Sequence, residues 1–197
     1  MSETHNREAT DDAPLSTSKN SDAVDEATAA LVEPKGDTLI GRTVTINRPR
    51  AELYAYWRDF TNLASFMDNI VSVEILDDRR SHWVVKAPGG KTVEWDAVIT
   101  DEREGETIAW ASDDDADVPN SGRIDFRDEP GGRGTQVTAT IVYDPPAGIV
   151  GKLIAKMFQR EPAIQARRDL RRFKQLMEAG EIATAARTRN QLEEEKA

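Results

Sequence analysis

The spacing of hydrophobic positions changes several times along this chain, and each change marks an element. Leu39 to Asn47 alternates apolar and polar residues with period two, the pattern of a half-buried strand. Pro49 suits the first turn of a helix, where its missing N–H would be unpaired in any residue. Leu53, Trp57 and Phe60 then recur at helical spacing, and Leu63, Phe66 and Met67 predict a second short helix after Thr61. From Ile70 the period returns to two. Val71, Val73 and Ile75 run into a turn at 77–80, and Trp83, Val85 and Ala87 lead to the turn Pro88-Gly89-Gly90. Val93, Trp95, Ala97 and Ile99 form the clearest strand, with Glu94 and Asp96 on its opposite face. Ile108 with Trp110, Ile124 with Phe126, and Val137, Ala139, Ile141 and Tyr143 predict three more.

Beyond Tyr143 the pattern becomes helical. Residues 148–158 read as one short helix, and Pro162 breaks it and favours a fresh start. Ala163, Ala166, Leu170, Phe173 and Met177 then draw a narrow apolar stripe along a longer helix, which Gly180 stops. One strand, two small helices, six strands and a long last helix make an α+β helix-grip architecture, with a seven-stranded antiparallel sheet curved around the C-terminal helix. Residues 1–37 hold nine acids, three bases and no aromatic residue, too little apolar surface to offset ordering entropy, and are expected to be a disordered acidic tail. The ordered domain is expected to span 38–180, with 181–197 a second charged tail.

Composition narrows the chemistry. There are 36 acidic and 26 basic residues among 197, a formal net charge of −10, so the broad basic field of a nucleic-acid binder is absent. No cysteine is present, which removes disulfides, thiolate metal sites and cysteine nucleophiles. With two histidines, a Ser-His-Asp arrangement would have to use His82. Asp113, Asp115 and Asp117 open like a calcium loop, but Val118 stands where a glycine is required and Ile124 where a bidentate Glu belongs. The Gly89-Gly90 and Gly131-Gly132 pairs join strands and open no helix, so no phosphate loop is expected. No apolar run is long enough for a membrane span or signal peptide, and a cytoplasmic protein, monomeric or weakly dimeric, without metal or cofactor, is the expectation.

Several stretches carry a resemblance. Trp57-Arg58-Asp59, Trp83-Val84-Val85-Lys86, Val93-Glu94-Trp95-Asp96-Ala97, Asn120-Ser121-Gly122, Gly132-Arg133-Gly134-Thr135, Tyr143-Asp144-Pro145-Pro146 and Asp169-Leu170-Arg171-Arg172-Phe173-Lys174 resemble a bacterial branch of the polyketide cyclase/dehydrase and lipid-transport superfamily. That superfamily is also called START-like or SRPBCC. The resemblance runs from about Asp37 to Thr184 and implies the helix-grip fold. Its members include cyclases, lipid carriers, coenzyme Q-binding proteins and ring-oxygenase subunits, so it implies no single activity.

A sheet wrapped around a helix can leave an interior suited to a hydrophobic small molecule that is lipid-, quinone- or polyketide-like. Alternation points Trp83, Trp95, Trp110 and Phe126 inward, and Ser112 and Tyr143 share their parity. Phe66 and Met67, with Met157 and Phe158, are expected to form a mouth. The same alternation turns His82, Glu94, Asp96, Arg123, Asp125 and Arg127 toward solvent. No acid/base pair stands out, so binding or carriage of such a molecule ranks above a cyclase- or dehydratase-type enzyme. A third reading rests on Arg160, Arg167, Arg168, Arg171 and Arg172, which lie off the apolar stripe of the last helix and offer a docking patch for an anionic protein or membrane surface.

Overall fold

In a computed structural model, residues 38–143 and 162–183 are described, with side chains for 41–87, 89–142 and 165–183. Strand β1 (Thr38–Ile46) is followed by helix α1 (Arg50–Arg58) and a 3-10 helix (Phe60–Ser65). Strands β2 (Ile70–Ile75), β3 (Arg80–Ala87), β4 (Lys91–Arg103), β5 (Thr107–Ser112), β6 (Asn120–Asp128) and β7 (Thr135–Tyr143) come next, and helix α2 (Pro162–Ala179) is last. β2 to β7 form a meander in which each strand pairs antiparallel with the next. β1 then pairs antiparallel with β7, giving one seven-stranded sheet in the order β1-β7-β6-β5-β4-β3-β2. This is the architecture the periodicity predicts. The helix predicted over 148–158 lies outside the described residues, as do both predicted tails apart from 181–183.

Local chemistry sets the turns. Asp77 uses one carboxylate oxygen to accept the backbone N–H groups of both Arg79 and Arg80, an Asx turn that closes the β2–β3 hairpin. Gly89 and Gly90 take φ of 78° and 74° between β3 and β4, a conformation that other residues adopt only with strain. Pro49 stands as the N-cap of α1, one position before its first helical residue.

One face of the sheet collects the core. Val44, Ile46, Val137, Ile124, Phe126, Ile108, Ile99 and Val85 are buried there beneath the helices. At the α1 end an aromatic cluster seals the interior. Phe173 of α2 lies 4.9 Å from Phe66 and 5.0 Å edge-on from Trp57, ring centroid to centroid, and Trp57 lies 5.3 Å from Phe66. Such pairs add about 0.5–1.5 kcal/mol each beyond the area they bury.

α2 runs alongside β1 and is pinned at its C-terminal end. Lys174 Nζ donates to the Thr45 carbonyl at 2.6 Å, and the Asn47 N–H donates to Glu178 Oε1 at 2.6 Å. Arg48 donates to the carbonyls of Met177 and Glu178 at 2.6 and 3.0 Å, placing positive charge where the helix dipole is negative. Gly180, at φ 77°, ends the helix as predicted, its N–H bonded to the Leu176 carbonyl.

Candidate functional site

The concave face has a sealed half and an accessible half. Toward α1, Phe66 and Phe126 are 0% and 1% exposed, so both are core residues. This corrects the expectation that Phe66 sits at a mouth: its ring is clamped between Trp57 and Phe173. Met67, its neighbour, is half-buried and packs on the edge of the core. Toward the β3–β5 side the indoles take over. Trp83 is buried and donates its N–H to Ser81 Oγ at 2.9 Å. Trp95 stacks on it, 6.4 Å away with planes 9° apart, but stays half-buried, and its enclosed Nε1 has no hydrogen-bond partner among the described residues. Trp110 is half-buried and meets Phe60 edge-on at 6.2 Å. Its indole lies over Gly122, where a Cβ would overlap the ring.

Ser112 is buried, and its Oγ accepts the Asn120 N–H at 3.0 Å, so it organises the β5–β6 connection. Tyr143 ends β7, and its side chain lies outside the described residues, as do Met157, Phe158 and Arg160. Arg167, Arg168 and Arg171 are exposed on α2. Arg172 leaves that patch: it is half-buried and ion-paired with Asp68 in the loop before β2.

On that same flank of α2, Asp169 is buried, with Gln165 Nε2 donating to its Oδ1 at 2.8 Å. Burial pushes its carboxyl up to about 7; the Gln165 hydrogen bond and Arg172 and Arg168 oppose this, while the neighbouring Asp68 adds to it. A carboxyl titrating near neutrality is the kind of group that acid/base chemistry employs. The opposite flank holds a residue that the sequence reading passed over. Arg42 has the parity of Val44 and Ile46 and pairs across to Ala139, so it rises from the concave face of β1. The signal was present in the sequence as a charge at an inward position of the first strand.

Two open clefts lie outside the sheet, beside α1. One, of about 660 Å³, is lined by Tyr54, Arg58, Ile75, Asp77 and Glu104; the other, of about 740 Å³, by Tyr54, Arg58, Arg79, Asp101 and Glu102. Tyr54 and Arg58 line both clefts, and Glu102 of the second ties them into a triad in which Tyr54 Oη donates to Glu102 Oε1 at 2.6 Å and Arg58 Nε to the same oxygen at 2.5 Å. Burial and the bond to Glu102 push the Tyr54 phenol well above its ordinary range. Burial also pushes Glu102 up, but the hydrogen bonds from Tyr54 and Arg58 outweigh it and hold the carboxyl below its usual range. The triad is a structural tie between α1 and β4, with its ionised and neutral members locked by each other.

The convex face departs from the expectation of a solvated surface. Arg123 and Asp125 do face away from the core, yet they are 3% and 7% exposed. Arg123 Nε bonds both Asp125 oxygens at 2.9–3.0 Å, and its remaining nitrogens reach Asp101 at 3.3 Å and Thr107 Oγ1 at 3.1 Å. Alternation fixes only the face; a closed network of small and complementary partners lets this pair sit dry. His82 stands on the same side of the sheet, hydrogen-bonded through Nδ1 to Asp96 at 2.7 Å. Asp113 lies 3.4 Å from Arg80, and Asp117 accepts the Glu94 N–H at 3.0 Å. Among the described residues no three His, Asp or Glu come together to hold a metal ion, and no helix is long and apolar enough to cross a membrane.

The fold and its aromatic concave face define a helix-grip, START-like protein. The chain belongs to the family described as polyketide cyclase / dehydrase and lipid transport, whose model matches residues 38–178. Among solved structures, the Deinococcus radiodurans protein DR_A0006 is 42% identical, with a TM-score of 0.60 over 73% of this chain and 99% of that one. The Thermus thermophilus protein TTHA0849 is 24% identical, with a TM-score of 0.57 over 73% of this chain and 99% of its own. An aromatase/cyclase from Streptomyces sp. R1128 shares the fold at 17% identity and a TM-score of 0.57, over 74% of this chain and 99% of its own. No functionally curated protein matches the chain.

Proposed function

We propose that the protein binds a hydrophobic small molecule, lipid-, quinone- or polyketide-like, against the concave face of its sheet. Membership of a cyclase/dehydrase and lipid-transport family supports ligand binding in general terms. The observation that carries the reading is the uneven burial of that face. Val44, Ile46, Ile124 and Phe126 are sealed, whereas Trp95, Trp110 and Ile141 keep solvent contact, as does Met67 in the loop before β2. Large apolar groups held partly wet inside a curved sheet gain about 25 cal/mol per Å² when a guest covers them. The Trp95 N–H, without a partner among the described residues, adds a demand for an acceptor oxygen on that guest.

The experiment is native mass spectrometry of the gently purified full chain, followed by a lipid-extract titration read by tryptophan fluorescence. Co-purified or captured apolar ligand, with the spectral response reduced in Trp95→Phe and Trp110→Phe, is the expected result. A protein that emerges empty and captures nothing from the extract overturns the proposal.

A cyclase- or dehydratase-type enzyme is the second reading, favoured by one observation: Asp169, buried on the helix that closes the sheet, holds a carboxyl at about 7. Turnover of a polyketide-like substrate, lost in Asp169→Asn with binding retained, selects this reading over simple carriage.

A further inference from the structure

We infer that Arg42 and Arg167 together seat the anionic group of an amphipathic ligand, a carboxylate or phosphate monoester whose apolar body lies along the concave face. This rests on the binding reading above and narrows its ligand class.

The placement follows from the seating of α2. Lys174 meets Thr45 and Glu178 meets Asn47, so helix and strand run in the same direction side by side. Five residues back along β1 and eleven back along α2 each cover about 16 Å. Arg42 therefore comes level with Arg167, across the slot between strand edge and helix. The two guanidiniums feel each other: burial first, and then the charge of Arg167, weakens the hold of Arg42 on its proton.

Two guanidiniums brought close repel each other, and an anion seated between them relieves that repulsion. Among the described residues neither has an acidic partner. Arg42 turns Nη1 back onto its neighbour's carbonyl, Gly41 O, at 2.5 Å, and its Nε is enclosed with no hydrogen-bond partner. The carboxylates within reach along α2 are committed elsewhere. Glu178 serves Lys174 and the Asn47 N–H, and Asp169 is on the far flank with Gln165 and Asp68. An enclosed N–H without an acceptor is costly, and an oxyanion that accepts it from half-buried Arg42 can at the same time meet the exposed guanidinium of Arg167.

The apolar half has a path. On the concave face Arg42 of β1 pairs with Ala139 of β7, and two residues further along β7 Ile141 stands beside Gly122 on β6 and, beyond it, Trp110 on β5. Three strand spacings and the two-residue offset along β7 make about 16 Å, about the length of an extended dodecyl chain with its head group. Gly122 leaves this track without a side chain, and Trp110 fills the room it leaves.

The test uses the full chain at low salt with dodecanoate, dodecyl phosphate, dodecanol and inorganic phosphate, read by calorimetry. Both amphipathic anions should bind about tenfold or more tightly than the alcohol. Arg42→Met and Arg167→Met should each erase most of that preference while leaving dodecanol affinity unchanged, and Arg42→Lys should restore part of it. Equal binding of acid and alcohol overturns the anion seat and leaves the hydrophobic-ligand reading standing. Failure of every dodecyl probe to bind removes both. Inorganic phosphate binding as tightly as dodecyl phosphate overturns the amphipathic class in favour of a free-anion site. Thermal melts of the variants separate lost recognition from lost folding.

Discussion

Trp110 packs against Gly122, and its ring occupies the space a β-carbon would need. The pair is fixed by register, since Trp110 on β5 stands directly across from Gly122 on β6. A rigid indole cannot step aside as the end of a lysine can. Gly122→Ala should therefore destabilise the protein by about 1–3 kcal/mol, the usual cost of overpacking. Denaturant melts check the figure, and the tryptophan emission should shift as the ring is displaced. The penalty should largely vanish in a Trp110→Leu background, because the two sites share one volume. An equal penalty in both backgrounds would mean that the glycine serves backbone geometry instead.

Asp169 makes stability depend on pH in a direction opposite to that of most carboxylates. Its folded value, about 7, lies above its ordinary 3.8, so the folded state binds the proton more tightly. The corresponding stabilisation is complete below about pH 4 and is lost as pH rises through 7. At 1.36 kcal/mol per pH unit, the span corresponds to about 4 kcal/mol. The groups that face it, Asp68, Arg172, Arg168 and Gln165, keep their roles in Asp169→Asn. That variant should flatten the decline in stability between about pH 4 and 7, read from melts at each pH. A wild-type profile with no such decline would show that Asp169 is solvated enough to ionise freely.

Much of the architecture was legible because it rests on period. The switch from alternation to helical spacing located every strand and α2, and Gly180 marked the true end of that helix. Site geometry was less legible, since it depends on which side chains meet across the fold. Phe66 and Met67 are adjacent in sequence and alike in hydropathy, but only Phe66 falls between Trp57 and Phe173. For Arg123 and Asp125 alternation gives the correct face but not the environment, because it carries no information about the partners that bury a charge. Arg172 looked like its exposed neighbours until Asp68, a hundred residues earlier, took it up. Arg42 was visible as a charge among inward positions, but its meaning requires knowing that Arg167 arrives beside it.

Arg48 holds the end of α2 from a different part of the chain. It donates two hydrogen bonds to the last carbonyls of the helix, groups that no following turn can satisfy. Its side chain is 40% exposed, so the expected loss in Arg48→Ala is modest, about 1–2 kcal/mol. The sharper readout is local. Amide exchange should quicken at Met177 and Glu178 while the core strands keep their protection. Uniform quickening would place Arg48 in the global fold rather than in the helix anchor.

The buried Arg123–Asp125 pair offers the strongest contrast between removing one partner and removing both. Both side chains are less than a tenth exposed and bonded through two oxygens, with Thr107 Oγ1 donating to Asp125 as well. Asp125→Ala takes the bidentate carboxylate from a buried guanidinium, leaving it the longer contact to Asp101 and the Thr107 hydroxyl, and should cost about 3–5 kcal/mol. Replacing both, as Arg123→Met with Asp125→Leu, takes the two charges out of the interior together and should cost clearly less than Asp125→Ala alone. Urea midpoints of the two variants decide between a pair that merely satisfies itself and one the fold depends on. If the double variant is as unstable as the single, the network contributes net stability beyond mutual compensation, and the convex face is a structural layer in its own right.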